Sequence, residues 1–172
     1  MKRTTRLLLI SDTHVPADRV PQLISIIGPL AKGCERILHA GDIACTELLD
    51  ALAELAPVDA VFGNMDPEPV RQRLSEQRIL SIQGRSIGLI HGWGSAQDLA
   101  RRVAERFTGP DGSLSLDALV YGHSHAAAIE HRQGVLVVNP GSPIDKRFAP
   151  FRSVAYLHLG EKIEAEIVKL RG

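Results

Sequence analysis

The sequence predicts an α/β fold, or the closely related α+β arrangement, in which two mixed β-sheets pack as a sandwich flanked by helices. Over the first 62 residues, apolar runs typical of buried strands alternate with helical patterns. This β-α-β-α-β order indicates a parallel core sheet. After residue 126 the pattern changes to alternating, turn-rich segments typical of antiparallel hairpins. With 172 residues, of which 44% are apolar, the chain is expected to form one domain over residues 1–172.

The first half of the chain is expected to contribute three strands and two helices. The runs LLLI, RILHA and VDAVF have the apolar character of buried strands. The segment VPQLISIIGPLAKG has helical spacing, and Gly28 with Pro29 is expected to kink or shorten that helix. TELLDALAELA predicts a second helix with Thr46 as its N-cap. The polar region from Asn64 to Glu76 predicts a loop with at most a short helix.

The second half is expected to contain more strands than helices. RILSIQ and SIGLI predict two strands joined by a tight turn at Gly84, and DALVY predicts a further central strand. SAQDLARRVAERF has the pattern of an amphipathic helix, with Ser95 as its expected cap. Two antiparallel hairpins are expected to follow, one turning at Gly134 and the other at Gly160.

Composition argues against several classes of function. Twenty basic and twenty acidic residues give a formal charge of zero, so there is no strong nucleic-acid-binding signal and no field that attracts a membrane. No apolar run is long enough to span a bilayer, and MKRTTRLLLI is interpreted as a first strand rather than an export signal. Cys34 and Cys45 have neither disulfide nor metal-motif spacing, which favours a reducing cytoplasm. The sequence does not decide the oligomeric state, and a homo-oligomer is one of the possibilities.

Polar side chains follow five of the predicted strands. Because the carboxyl ends of parallel strands meet at one edge of a sheet, we expect these side chains to gather there. They are Asp12 and His14 in SDTH, Asp42 in GD, Asn64 in GNMD, His91 in HG, and His123 with His125 in GHSH. Four imidazoles, two carboxylates and one amide suit Mn²⁺, Fe²⁺, Co²⁺, Ni²⁺ or Zn²⁺ better than an all-oxygen magnesium site.

Each polar segment has a simpler interpretation when it is taken alone. An Asp two residues before a His at a strand end is more often part of a turn than a ligand pair. His123 and His125 are as typical of a polar loop as of a metal site, and Asp42 is a candidate helix cap, although Thr46 is better placed. The metal-site hypothesis therefore depends on all five segments occurring together.

These segments resemble the calcineurin-like metallophosphoesterase superfamily, whose motifs SDTH, GD, GN(x)D, HG and GH(x)H occur here in the same order from about Ser11 to Ser142. The short chain and the NPGS sequence after the last His motif are most similar to the small bacterial and archaeal phosphodiesterases of the YfcE type. The resemblance implies one ion held by Asp12, His14 and His125, a second ion held by Asn64, His91 and His123, and a bridging carboxylate from Asp42.

The resemblance also implies an activity and a mechanism. The expected function is a metal-dependent phosphodiesterase that hydrolyses a small phosphodiester substrate by attack of a hydroxide shared between two ions. Two divalent ions against two carboxylates would leave a net charge of about +2 for the phosphate. Mn²⁺ is the first expectation for the metal, with Fe²⁺, Ni²⁺, Co²⁺ and Zn²⁺ as alternatives. Asp42, Asn64 and His123 are the expected catalytic residues.

Met65 departs from the wider superfamily. Many members have GNH(D/E), in which the His is thought to protonate the leaving oxygen, and a thioether has no proton to donate. Diesters with acidic leaving groups are therefore the expected substrates. Asp66 is interpreted either as orienting a ligand His or as capping its loop. Trp93, Lys146 and Arg147 are candidate substrate contacts, with packing and solvent exposure as the alternatives.

Two other functions remain as alternatives. One is a non-catalytic scaffold or binding module, as the eukaryotic retromer subunit of this superfamily largely is. The other is a phosphomonoesterase that uses the same centre, which Met65 disfavours. Uptake of divalent metal without turnover of any phosphoester would favour the scaffold.

Overall fold

The computed structural model describes residues 4–171, which form ten strands and four α-helices. In chain order they are β1 Thr5–Ile10, α1 Val20–Ala31, β2 Arg36–His39, α2 Thr46–Ala53, β3 Val58–Ala60, α3 Glu68–Arg73, β4 Gln77–Ile82, β5 Arg85–Ile90, α4 Leu99–Glu105, β6 Ala118–Val120, β7 Ala128–Arg132, β8 Val135–Asn139, β9 Arg152–Leu159 and β10 Ile163–Leu170. A short 3₁₀ helix at Ala17–Arg19 precedes α1.

The strands form two mixed sheets, as the sequence predicts. The first has the order β10-β9-β1-β2-β3, with β1, β2 and β3 parallel and the last two strands of the chain antiparallel. The second has the order β4-β5-β6-β8-β7, with β5, β6 and β8 parallel and its edge strands antiparallel. Both expected C-terminal hairpins are present, as β7–β8 and β9–β10.

The main core lies between the two sheets. Leu7 and Leu9 of β1 pack inward with residues of β5, β6 and β8, whereas Leu8 and Ile10 point outward to α1 and α2. All four of these leucine and isoleucine side chains are fully buried. This burial on both faces explains why β1 is a continuous apolar run rather than an alternating one. Helix α4 covers the outer face of the second sheet through Leu99 and Val103, among other residues.

The beginnings of two helices differ from the expectation. Thr46 is the first residue of α2 rather than its N-cap, and its hydroxyl donates to Glu47 Oε2 at 3.3 Å instead of capping a backbone N–H. Helix α4 begins at Leu99 and not near Ser95. The preceding loop stays irregular because Arg102 donates hydrogen bonds to three of its carbonyls, at residues 93, 95 and 97. Helix α1 continues past Pro29 to its end at Ala31.

The five loops that carry the predicted ligands all follow parallel strands. They come after β1, β2 and β3 in the first sheet and after β5 and β6 in the second. The sandwich therefore presents these loops together at one end. Between residues 4 and 171 no helix has the length and apolar character required to cross a membrane.

Candidate metal centre

The structure brings all seven predicted ligand side chains into one cluster. Asp42 Oδ2 lies 3.4 Å from His14 Nε2 and 3.2 Å from His91 Nε2. On one side, His125 Nε2 lies 3.3 Å from His14 Nε2 and 3.5 Å from Asp12 Oδ1. Donor atoms about 3 Å apart are what one ion requires when each bond is about 2.1 Å long.

The other side of the cluster contains the remaining two ligands. Asn64 Oδ1 lies 3.1 Å from His91 Nε2 and 3.1 Å from His123 Nδ1. The Asp42 carboxylate lies next to both His14 and His91. We call Asp12, His14 and His125 the first half of the cluster, and Asn64, His91 and His123 the second half. Asp12 also lies near the second half, with its Oδ1 3.9 Å from His91 Nε2. These halves are named after the two sets that the superfamily resemblance implies, and the binding of one ion by each half stays a prediction.

The hydrogen bonds of the imidazoles show that this cluster fits a cation. His91 Nδ1, His123 Nε2 and His125 Nδ1 each lie within hydrogen-bond distance of a backbone carbonyl, of Ala40, Gly94 and Asp145 respectively. Since a carbonyl only accepts, each of these nitrogens carries the proton, and the other ring nitrogen turns a lone pair toward the cluster. Lone pairs that face one another at about 3 Å repel unless positive charge lies between them. Donation of the second ring N–H to a carbonyl is also usual for histidine ligands.

The pKa values follow the same electrostatics. Burial raises the pKa of Asp12 to about 7, despite the opposing charge of His91. Burial alone would raise the pKa of Asp42 as well, but the hydrogen bond and charge of His91 lower it to about 2. Burial lowers the pKa of three other ligands, His14, His123 and His125, which keeps them neutral and ready to bind metal near pH 7.

His91 is the one imidazole of the cluster whose pKa is raised. Burial by itself would lower its pKa, but the hydrogen bond to Asp42 and the charges of Asp12 and Asp42 outweigh that effect. A proton on His91 is thus what these carboxylates attract when no metal is bound. The cluster therefore attracts positive charge both as a bound metal ion and, without metal, as a proton on His91.

Backbone strain is concentrated at the same residues. Five of the seven ligands have positive φ angles, between 44° and 73°, in the left-handed region that costs roughly 1–2 kcal/mol per residue. These five are Asp12, His14, Asp42, His123 and His125. Hydrogen bonds between the loops hold them there: Asp12 N donates to Gly41 O, His14 N donates to Asp42 O, and His123 N donates to the Asp12 carboxylate.

Two glycines of the motifs are required by close approach. A Cβ on Gly63, which precedes Asn64, would lie 2.1 Å from Asp42 Oδ1. A Cβ on Gly122, which precedes His123, would lie 1.8 Å from Ser11 Oγ. Any side chain at either position would displace a ligand-bearing loop, which explains the glycine in GN and GH.

A family model for the calcineurin-like phosphoesterase superfamily domain matches residues 5–162. This chain belongs to that superfamily. A probable metallophosphoesterase from Methanothermobacter thermautotrophicus is 38% identical over 170 residues, which cover 94% of this chain and 90% of the relative. A phosphodiesterase from Methanocaldococcus jannaschii is 24% identical over 143 residues, which cover 77% and 81%. The crystal structure of an Entamoeba histolytica Vps29 single mutant is 25% identical, with a TM-score of 0.70 and coverage of 97% and 100%.

Within this metallophosphoesterase fold, Asp66 caps the loops instead of orienting a ligand His. Its buried carboxylate accepts hydrogen bonds from the backbone N–H groups of Gly63, Ile43 and Ala44, at 2.7–2.8 Å. These donors belong to the loop of Asp42 and the loop of Asn64. Asp66 therefore fixes the bridging carboxylate relative to the second half of the centre.

Sequence reasoning missed Arg71, a residue of the short helix α3. Its guanidinium donates to the carbonyls of Gly63, Asn64 and Asp66, at 2.8–3.1 Å, and so holds the Asn64 loop from the other side. The only signal in the sequence is a basic residue in the last turn of a short helix, which is too common to identify a role.

The NPGS segment packs beneath the centre. Asn139 and Ser142 are fully buried, and Ser142 Oγ donates to the backbone carbonyl of Asp12 at 2.7 Å. Asn139 Nδ2 donates to Gly122 O at 3.0 Å. These bonds support the loops on which both halves depend. His39, also fully buried, binds Thr13 Oγ1 at 3.0 Å and so packs in the core near the first half.

The remaining candidate residues lie around the mouth of the centre. Met65 donates its backbone N–H to Asp42 Oδ1 at 2.9 Å, and its side chain is 62% exposed. Trp93 is 39% exposed. Arg147 pairs with the carboxylate of Asp145 at 3.6 Å, and the backbone carbonyl of Asp145 binds His125 Nδ1. Arg147 is therefore close to the first half, whereas Lys146 is simply exposed.

Proposed function

We propose that this chain is a phosphodiesterase that uses two divalent metal ions. The convergence of seven oxygen and nitrogen donors with facing lone pairs carries the proposal, because such a cluster is stable only around positive charge. Membership of the phosphoesterase superfamily supports an ester of phosphoric acid as the substrate. The activity named for the Methanocaldococcus jannaschii relative supports a diester.

The first half and the second half would each hold one ion, with Asp42 between them. When bound, divalent ions supply a water of lowered pKa as nucleophile and neutralise charge on the phosphoryl oxygens. Mn²⁺ is our first choice because a mixed nitrogen and oxygen set suits it, as it also suits Fe²⁺, Co²⁺, Ni²⁺ and Zn²⁺.

Two ligands lie where the substrate would bind in this proposal. Asn64 and His123 are on the more exposed side of the cluster. The NH₂ group of Asn64 can donate to the phosphoryl group while its Oδ1 faces an ion, whereas the Nε2–H of His123 already donates to Gly94 O, so His123 acts there through Nδ1 as a ligand. Hydrogen-bond donors already in place at developing charge usually make the largest single contribution to rate. Asp42, Asn64 and His123 are thus our proposed catalytic residues.

The residue at position 65 favours small diesters with acidic leaving groups. Met65 directly follows Asn64, and its side chain extends into solvent without a proton to donate. Leaving groups that need no protonation would therefore react fastest. A cytoplasmic location is part of the proposal, since the two cysteines are free thiols.

The test is hydrolysis of an aryl phosphodiester, with and without added Mn²⁺, by the wild type and by Asp42→Ala. We expect activity in the wild type with Mn²⁺ and a loss of at least about 100-fold in the variant. Asp50→Ala is the matched control, because Asp50 is an exposed aspartate of α2 that pairs with Arg73. Equal rates in all samples would overturn the proposal.

The non-catalytic scaffold is the second candidate, favoured by the likeness to Vps29 over nearly the whole chain. It predicts a protein that retains its fold in Asp42→Ala and turns over no phosphoester even when it is loaded with metal. The convergence of all seven donors argues for catalysis over this alternative.

A further inference from the structure

A small cavity of about 190 Å³ opens beside the second half of the centre. Its lining includes the candidate ligands Asn64 and His91 and the aromatic residues Phe62 and Trp93. Pockets for whole small molecules usually measure about 300–1,000 Å³, so this space suits one ring-sized group. A group bound here would lie directly next to a phosphate at the centre.

The indole of Trp93 is held in place at this cavity. The guanidinium of Arg106 lies over the ring, 5.6 Å from its centroid, and Arg106 also pairs with Glu76 at 3.3 Å. Arg102 donates to the Trp93 carbonyl at 2.9 Å. The carbonyl of the next residue, Gly94, accepts the hydrogen bond from His123. The loop that carries the indole is therefore attached to a candidate ligand.

The other side of the cavity combines an aromatic ring with charge. The guanidinium of Arg71 lies over Phe62, 4.7 Å from the ring centroid. Among residues 4–171, its Nε and Nη2 atoms are used in hydrogen bonds to carbonyls and its Nη1 atom makes none. Glu76 supplies acceptors at the rim. A ring bound here would meet the aromatic side chains of Phe62 and Trp93, the Nη1 donor of Arg71 and the carboxylate of Glu76, which also pairs with Arg106.

We propose that this cavity binds a planar aromatic ring of the ester substrate, a nucleobase or an aryl group, and that Trp93 stacks on it. The inference rests on the proposed phosphodiesterase function and names the class of organic group that the site prefers. Aromatic faces favour a flat ring over an alkyl chain, and the polar groups of Arg71 and Glu76 can meet its edge.

The chain contains a single tryptophan, so its fluorescence reports on this cavity alone. The experiment titrates the Zn²⁺-loaded protein with adenosine 5′-monophosphate, phenyl phosphate and ribose 5-phosphate. We expect the two ring-bearing phosphates to change the fluorescence of Trp93 and ribose 5-phosphate to leave it unchanged. A response to the nucleotide alone would assign the cavity to nucleobases, and a response to both would assign it to aromatic rings in general.

Equal responses to all three phosphates, or no response to any, would overturn the proposal. Because this titration requires no turnover, it remains informative if the protein hydrolyses no diester. Failure of the proposed function and failure of the aromatic subsite are thus separate results.

Substitutions test the role of the indole. Trp93→Ala is expected to weaken calorimetric binding of adenosine 5′-monophosphate about tenfold and to leave ribose 5-phosphate unaffected. Trp93→Phe should retain most of the affinity. Ile129→Ala is the control, since Ile129 has the same 39% exposure but lies on β7.

A second variant acts without removing the ring. Arg106→Ala frees the indole and is expected to weaken nucleotide binding severalfold, less than Trp93→Ala does. Arg101→Ala on α4 is the matched control for Arg106→Ala, because Arg101 pairs with Glu105 and does not line the cavity.

The deciding result is that of Trp93→Ala. If this variant binds the nucleotide as tightly as the wild type while it retains its fold by circular dichroism, the proposed stacking role of Trp93 is wrong.

Discussion

The two halves of the centre use similar ligands in different surroundings. In the first half, Asp12 and His125 are fully buried, and the Asp12 carboxylate lies closer to His125, at 3.5 Å, than to His91 of the second half, at 3.9 Å. In the second half, Asn64 is exposed and His123 is half-buried, and the nearest carboxylate is the shared one of Asp42, 3.2 Å from His91 Nε2. The second half also borders the cavity. One half is thus built to retain an ion and the other to admit a substrate.

This difference predicts an order of metal binding. A buried site with its own negative charge attracts a divalent cation more strongly than an exposed site with neutral ligands. We therefore expect a tight site in the first half and a weaker site in the second.

The largest effect is expected from removing a ligand of one half. Asp12→Ala should lose the tight site and lower diester hydrolysis at least about 100-fold, because its carboxylate carries the charge of the first half. Asn64→Ala should retain one tightly bound ion per chain and lose the weaker one. Calorimetric titration with Mn²⁺ and elemental analysis measure both results. A tight site that survives Asp12→Ala but not Asn64→Ala would reverse our assignment of the halves.

The sequence was sufficient to predict which ligands meet, since each one follows a strand whose partners run parallel to it. The inference does not depend on how many residues separate two ligands in the sequence, because the strands bring them to the same edge of a sheet. The sequence does not decide the role of Asp66, because two of its three hydrogen-bond donors, Ile43 and Ala44, lie more than 20 residues away. No local pattern reports such a contact, and the same is true of the carbonyls bound by Arg71.

The predicted starts of α2 and α4 are wrong for a related reason. The expected N-cap residues Thr46 and Ser95 satisfy local preference, but tertiary contacts decide the actual boundary. Before α4, Arg102 captures carbonyls of the loop, and that loop supplies Gly94 O to His123. The site and the helix boundary are therefore determined together.

Asp66→Asn is expected to have the next largest effect. The amide cannot accept as many hydrogen bonds as the carboxylate, and one buried N–H would face its NH₂ group. We expect a loss of about 2–3 kcal/mol in the free energy of unfolding and a 10–100-fold loss of diester hydrolysis. Denaturant unfolding and steady-state kinetics measure the two effects.

A matched control separates the site from general destabilisation. Asp59 is also buried and pairs with Arg36 and Arg78, but it lies on β3 away from the ligands. Asp59→Asn should destabilise the fold while the folded protein retains its activity. If the two variants lose activity equally at matched folded concentrations, Asp66 has no special role in fixing the second half.

Met65→His adds to the second half the proton donor that it lacks. The position lies at the mouth of the centre, where its backbone N–H already binds Asp42 Oδ1. General acids contribute about 10²–10⁴-fold when they are well placed, and we expect about a tenfold gain in aryl or alkyl monoester turnover from a newly introduced one. Met65→Gln has similar size without an acid. Equal monoester rates in the two variants would show that position 65 does not face the leaving oxygen.

The smallest effect concerns the protons that compete with metal, one in each half of the centre. Asp12, with a pKa raised by burial to about 7, and His91, whose pKa is also raised, are the ligands that hold protons near neutrality without metal. A metal ion must displace those protons below pH 7, so apparent affinity should fall as the pH falls through that value. Above it, Asp12 is already ionised, so only the proton on His91 still competes with metal and the dependence should weaken.

Ser11→Ala tests this explanation with little change in shape. Ser11 Oγ donates to Asp12 Oδ2 at 2.7 Å and thereby favours the ionised carboxylate. Loss of one such hydrogen bond, about 1 kcal/mol, should move the midpoint of the pH dependence upward by somewhat less than one unit. Apparent Mn²⁺ affinity at pH 6.5 should then fall about fivefold, and affinity well above pH 8 should be unchanged. An equal loss of affinity at every pH would instead mean that Ser11 positions the carboxylate and does not tune its proton.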